Sequence, residues 1–236
     1  MSKTYKLQVP VSLDDITISQ YQKYIKVLED NKDSEDTNFL NLKLLNIFCD
    51  ITMKEAYELP IQEFEYILNH LATILSEKPF LHHRFFMEDP KGDTIEFGFI
   101  PNLDKITLGE YVDAENYLSN WEDMHKAMSV LYRPIIAGNK DFYKIEKYEG
   151  SDKYSEIMKD APASVALGTI LFFLNLGIDL SKITMDSLLK QQETLKEDPT
   201  HKDSVKSGDG INQYTHLVKE MSSKLTKLQN SMYIKQ

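Results

Sequence analysis

Four short segments of the chain carry one pattern, Ile-Thr followed by an apolar residue, that has the chemistry of a helix start. The threonines are Thr17, Thr52, Thr107 and Thr184. The first three are followed, three residues later, by a Gln or Glu that can bond back to the threonine backbone and complete a capping box. The fourth has the weaker Ser187 at that position. The pattern therefore predicts four helix amino termini and not a catalytic signature.

Apolar residues recur at helical spacing through most of the chain, but one region alternates with the period of a strand. Two arms, about 81–88 and 94–100, flank the turn sequence Asp-Pro-Lys-Gly-Asp and predict an antiparallel β-hairpin over about 81–100. Residues 3–11 also alternate, and this predicted strand either stays separate or joins the hairpin in a three-stranded sheet. Residues 135–151 predict a loop with a short extended piece.

The predicted fold class is α+β and predominantly α-helical, with a helical body over residues 1–180. Residues 181–210 are polar, contain Pro and Gly, and predict a flexible linker. Residues 211–236 place apolar side chains, Leu217 and Met221 among them, at helical spacing and predict an amphipathic carboxy-terminal helix. This helix either docks on a partner or packs back on its own body.

An uncharged run over residues 161–178 is close to the shortest length that spans a membrane. It contains Pro162, Ser164, Thr169 and Asn175, and it has no basic flank to anchor a span. We therefore expect a buried core helix here and no membrane association.

Composition excludes several classes of partner. The formal net charge is −10 and the only arginines are Arg84 and Arg133, so binding to a nucleic-acid backbone is not expected. The single cysteine, Cys49, lies in an apolar run and predicts a buried, inert thiol. The amino-terminal residues lack the apolar region of a secretion signal, and we expect a reducing cytoplasm.

No catalytic pattern stands out. The sequence contains no phosphate loop, dinucleotide fingerprint, nucleophile elbow or paired-histidine zinc motif. The acidic residues follow the spacing of solvated helix faces, so no catalytic residue, cofactor or metal is predicted. Arg133 is expected to pair with a carboxylate of the body or to cap helix carbonyls. An enzyme with a site of dispersed carboxylates remains the least favoured alternative.

Two segments suggest a family. Glu96 to Ile135 reads EFGFIPNLDKITLGEYVDAENYLSNWEDMHKAMSVLYRPI, and Tyr148 to Gly177 reads YEGSDKYSEIMKDAPASVALGTILFFLNLG. Both resemble proteins of tailed bacteriophages, and the hairpin followed by ITLGEYVDAE is similar to tail assembly chaperones. The resemblance implies a non-enzymatic protein that keeps the tape-measure protein soluble while the tail tube assembles around it. It carries over no site residue.

The leading interpretation is thus a phage assembly protein that binds the tape-measure or tail tube protein in the host cytoplasm. The alternative is a structural virion protein of the head or neck, or packaged cargo, that self-associates in the particle. Because methionine-rich surfaces adapt to varied helices, we expect the partner groove to include apolar side chains of two helical segments. The predicted partner-binding residues are Trp121, Met124, Met128, Leu131, Leu217 and Met221.

Overall fold

The computed structural model describes residues 7–34, 36–139 and 142–197. Its α-helices are Ile18–Asp30 (α1), Thr37–Phe48 (α2), Met53–Tyr57 (α3), Ile61–Leu75 (α4), Leu108–Leu118 (α5), Met124–Leu131 (α6), Asp152–Met158 (α7) and Ala163–Glu197 (α8). Its strands are Arg84–Glu88 (β1), Thr94–Phe99 (β2), Tyr132–Gly138 (β3) and Tyr143–Ile145 (β4). The predicted α+β, mainly helical class is confirmed.

Three of the four predicted helix starts are confirmed, and each of the three has a complete capping box. The side-chain oxygens of Thr17, Thr52 and Thr107 each accept a hydrogen bond from the backbone N–H three residues on. Each threonine also donates its own backbone N–H to the side-chain oxygen of that later residue. The fourth prediction is wrong, because Thr184 lies in the interior of α8. An N-cap needs extended backbone, and no proline interrupts the helix before Thr184. A further box at Ser12 begins a short 3₁₀ turn that the sequence analysis missed.

The predicted hairpin is confirmed, but the sheet around it is larger than expected. Its four strands run antiparallel in the order β1-β2-β3-β4. The third strand comes from a segment assigned mainly to a loop, while the described residues 7–12 form no strand. Pro134 lies within this strand, opposite Phe97 in the observed register, although proline donates no ladder hydrogen bond.

One part of the core lies between the inner face of the sheet and α8, and the rest lies among the helices that precede and follow the hairpin. Tyr132, Phe97 and Phe99 project from β2 and β3 into this core, and the Tyr132 hydroxyl lies 2.9 Å from Thr169 Oγ1 on α8. Gly168 permits a close approach, since a Cβ at this position would lie 2.0 Å from the carbonyl oxygen of Phe80. The predicted buried helix is therefore confirmed.

α8 is a long helix whose amino-terminal half lies in the core. Its segment Ala163–Leu180 is long and apolar enough to cross a membrane, yet 61% of that segment is buried inside the structure. The helix continues to Glu197, so the amino-terminal part of the predicted linker 181–210 is helical. Its Lys, Gln, Glu and Leu residues are good helix formers, which explains the continuation. The predicted helix 211–236 lies outside the described residues.

Candidate partner-binding groove

Four of the predicted partner-binding residues are in the core, so this prediction is wrong for them. Trp121 is 2% exposed, and Met124, Met128 and Leu131 are completely buried. The reason is that α6 contacts α1, α5 and α7, which cover its apolar face. The remaining two residues, Leu217 and Met221, lie outside the described residues.

An open groove of ≈ 780 Å³ lies at one end of the sheet. It is bounded by the segment entering β1, the segment leaving β2, the turn between β3 and β4, and one side chain of α8. Its lining residues include Leu81, His83, Arg84, Phe99, Ile100, Pro101, Asn102, Leu103, Asp104, Phe142, Tyr143 and Phe172. We refer to this set as the sheet-end groove.

The inner surface of the sheet-end groove is apolar and rigidly held. Phe99 and Ile100 are buried residues that line the groove. Phe172 of α8 packs edge-on against Phe99, with ring centroids 5.8 Å apart. The backbone of Ile100 donates a 2.9 Å hydrogen bond to the carbonyl oxygen of Leu131, which fixes the end of β2 against α6. The floor is therefore an extension of the core.

An exposed phenylalanine stands at the rim. Phe142 is 79% exposed, and its backbone N–H donates to Asn139 Oδ1 at 3.0 Å. The turn that presents it requires glycine: Gly138 has φ +149°, and a Cβ there would lie 2.4 Å from the carbonyl oxygen of Phe142. A large apolar side chain is therefore exposed to solvent beside an apolar floor.

Tyr143 and Arg84 fix the wall between this rim and the floor. The Tyr143 hydroxyl lies 2.8 Å from the carbonyl oxygen of Phe99 and 3.1 Å from that of His83. A tyrosine hydroxyl is protonated at neutral pH and can donate to each of these carbonyl oxygens in turn, and burial raises the pKa of Tyr143 further. The Arg84 guanidinium lies 4.5 Å from the centre of the Tyr143 ring and also donates to the carbonyl oxygen of Asn139.

Glycine explains how the Tyr143 ring fits against the sheet. A Cβ on Gly98 would lie 2.5 Å from a ring carbon of Tyr143 and 2.9 Å from Ile135 Cγ1. The ring therefore lies directly across the β2 backbone, in space that any larger residue would fill.

The charge on the rim is asymmetric. Arg84 forms an ion pair with Glu96, with 3.4 Å between Arg84 Nη1 and Glu96 Oε1. Asp104 is exposed and has no ion-pair partner among the described residues; its backbone N–H donates to Asn102 Oδ1 at 2.9 Å. Among the described lining residues, the rim thus carries one carboxylate without an ion pair, beside the apolar floor.

Arg133 and Glu110 form a buried ion pair that has a structural role. Arg133 donates to Glu110 Oε1 at 2.5 Å, to the carbonyl oxygen of Val130 and to that of Glu146, both at 2.8 Å. The predicted roles of Arg133 in pairing a carboxylate and capping a helix are both confirmed. Burial alone would raise the pKa of Glu110, but hydrogen bonds from Thr107 and the charge of Arg133 hold it below its usual value.

Within the described ranges, no group of three or more His, Cys, Asp or Glu side chains is placed to hold a metal ion. Comparisons with protein-family models, with curated proteins and with solved structures found no match to this chain.

Proposed function

We propose that the chain is a non-enzymatic assembly protein of a tailed bacteriophage, a tail assembly chaperone that binds the tape-measure protein in the host cytoplasm. The sheet-end groove is the binding site. The observation that carries the proposal is an exposed Phe142 beside an apolar floor, in a chain whose segments 96–135 and 148–177 resemble such proteins.

The chemistry of the groove agrees with this role. A chaperone of this kind must cover apolar side chains of a long helical partner until the partner is packaged, and helix-in-groove binding uses apolar anchors one or two turns apart. The acidic character of the chain, with a net charge of −10, favours a partner segment with basic residues beside those anchors. Asp104 on the rim of the groove supplies a negative charge for such basic residues.

Co-purification from infected cells tests the proposal. A tagged chain is expected to recover the tape-measure protein, and Phe142→Glu is expected to lose it because a carboxylate replaces the apolar anchor. Tyr66→Glu is the matched control, since Tyr66 on α4 is 74% exposed but lies outside the groove. Both variants should retain the wild-type melting temperature.

Mass spectrometry of purified particles separates the chaperone from a structural virion protein. The proposal predicts that the chain is absent from mature virions. A chain that is abundant in virions and never recovers the tape-measure protein from cells would favour the structural role instead.

A further inference from the structure

β1 is an edge strand whose outer backbone groups have no strand beside them among the described residues. Phe99 donates to the carbonyl oxygen of His83 at 3.0 Å, and Asp89 donates to that of Asp93 at 2.8 Å. Because hydrogen-bonding direction alternates along a strand, His83, Phe85, Met87 and Asp89 direct their backbone groups toward β2. Arg84, Phe86 and Glu88 therefore direct theirs away from the sheet.

The side chains of the same three residues lie on one face. Phe85 is buried beneath the sheet, so Phe86 projects from the opposite face, where it is 67% exposed. Arg84 and Glu88 flank it at two residues on either side. Charged residues usually discourage pairing at a sheet edge. Here the two charges have opposite signs and are placed symmetrically about a phenylalanine.

This arrangement is complementary to itself. If two β1 strands run antiparallel about a two-fold axis at Phe86, Arg84 of each copy lies opposite Glu88 of the other. The two Phe86 side chains then meet at the centre. The same register places each outward-facing backbone residue opposite another, which is the hydrogen-bonded pairing of an antiparallel ladder. A shift by one residue would lose both the charge matches and these hydrogen bonds.

We propose that two copies of the chain associate through β1, joining their four-stranded sheets into one continuous sheet across a two-fold axis. The proposal does not depend on the phage role. The opposite edge is less suitable, because β4 is the shorter edge strand and its pairing with β3 is interrupted by a bulge. Arg84 keeps donors for the new contact, since its two bonds to Glu96 and Asn139 use only part of a guanidinium with five N–H groups.

Sedimentation of the full chain across a range of concentrations tests the pairing. We expect a monomer–dimer equilibrium. Glu88→Lys places like charges opposite each other at two symmetric positions and is expected to weaken dimerisation roughly tenfold. Phe86→Pro removes an N–H that is not used within the sheet and is expected to abolish the dimer while the fold persists. Glu65→Lys, an equal charge change on an exposed position of α4, should leave the dimer unchanged.

Amide hydrogen exchange gives a second, independent readout. The Phe86 amide is expected to exchange slowly at concentrations where the dimer forms and rapidly on dilution. A chain that is monomeric throughout would overturn the proposal, as would a dimer that Glu88→Lys and Phe86→Pro leave intact. Slow exchange of the Phe86 amide in a monomer would also overturn it, because that result means another segment of the same chain covers the edge.

Discussion

Arg133→Met removes the cation from the buried Glu110–Arg133 pair while keeping a side chain of similar length. The side chains of both residues are 7% exposed. The substitution leaves the Glu110 carboxylate buried with only the hydrogen bonds from Thr107, and it leaves the carbonyl oxygens of Val130 and Glu146 without their donor. Removing one partner of a buried ion pair costs about 3–5 kcal/mol. That is a large share of the roughly 5–15 kcal/mol that stabilises a typical domain.

A double-mutant cycle separates the pair from general packing. Glu110→Gln keeps the shape of the side chain and leaves Arg133 bonded to two carbonyls, so we expect a smaller loss of about 1–3 kcal/mol. The double variant should be more stable than the sum of the single losses predicts, by about 1–3 kcal/mol, because the second change removes a charge that the first left unpaired. Urea unfolding with a constant slope measures each value. Strict additivity, or a loss below about 1 kcal/mol for Arg133→Met, would refute the reasoning.

The pH dependence of the free energy of unfolding tests whether Glu110 stabilises the fold in its charged form. The pKa of Glu110 is lower in the folded protein than in the unfolded chain, so the stabilisation is fully present above the ordinary carboxyl value of about 4.3. It is lost as the pH falls through the lowered folded value, because the unfolded chain then binds the extra proton. The stability gap between wild type and Glu110→Gln should therefore shrink on acidification below about pH 4. A gap that widens contradicts this.

Three further predictions concern the fold. Thr107→Ala removes a cap and should lower the free energy of unfolding by about 1–2 kcal/mol in urea titrations. Gly168→Ala gains helix propensity but forces a Cβ against Phe80, so a net loss of about 1–3 kcal/mol is expected; a stabilised variant would contradict the close contact. Burial raises the pKa of Cys49 to about 11, so a thiol reagent at pH 8 should react only as the protein unfolds; rapid labelling of the native chain would show that the thiol is accessible.

Local chemistry explains which parts of the fold could be predicted from the sequence. A capping box is complete within four residues, so three of the four helix starts were predictable, and the hairpin turn was similarly local. The prediction at Thr184 was wrong because the local capping pattern is present, but no helix-breaking residue ends α8 before it. The third strand could not be predicted because its pairing depends on Phe97, a residue far away in the chain.

The groove could not be predicted from local sequence patterns. Methionine and tryptophan at helical spacing are typical both of a core and of a binding surface. Met124 and Met128 are buried because neighbouring helices pack around α6, and the sequence of α6 alone does not show this. The groove itself combines residues from four separate segments, which no local pattern links. Its one available signal was Phe142, an aromatic residue in a polar stretch next to glycine-containing turn sequence.

Site-specific cross-linking from position 142 tests the central claim most directly. A photoreactive phenylalanine analogue replaces Phe142 in the tagged chain, and the same analogue at Tyr66 serves as the control. In infected cells, we predict cross-links from position 142 to an apolar helical segment of the tape-measure protein and none from position 66. Equal cross-linking from both positions, or no tape-measure adduct from position 142, would contradict the groove as the chaperone site.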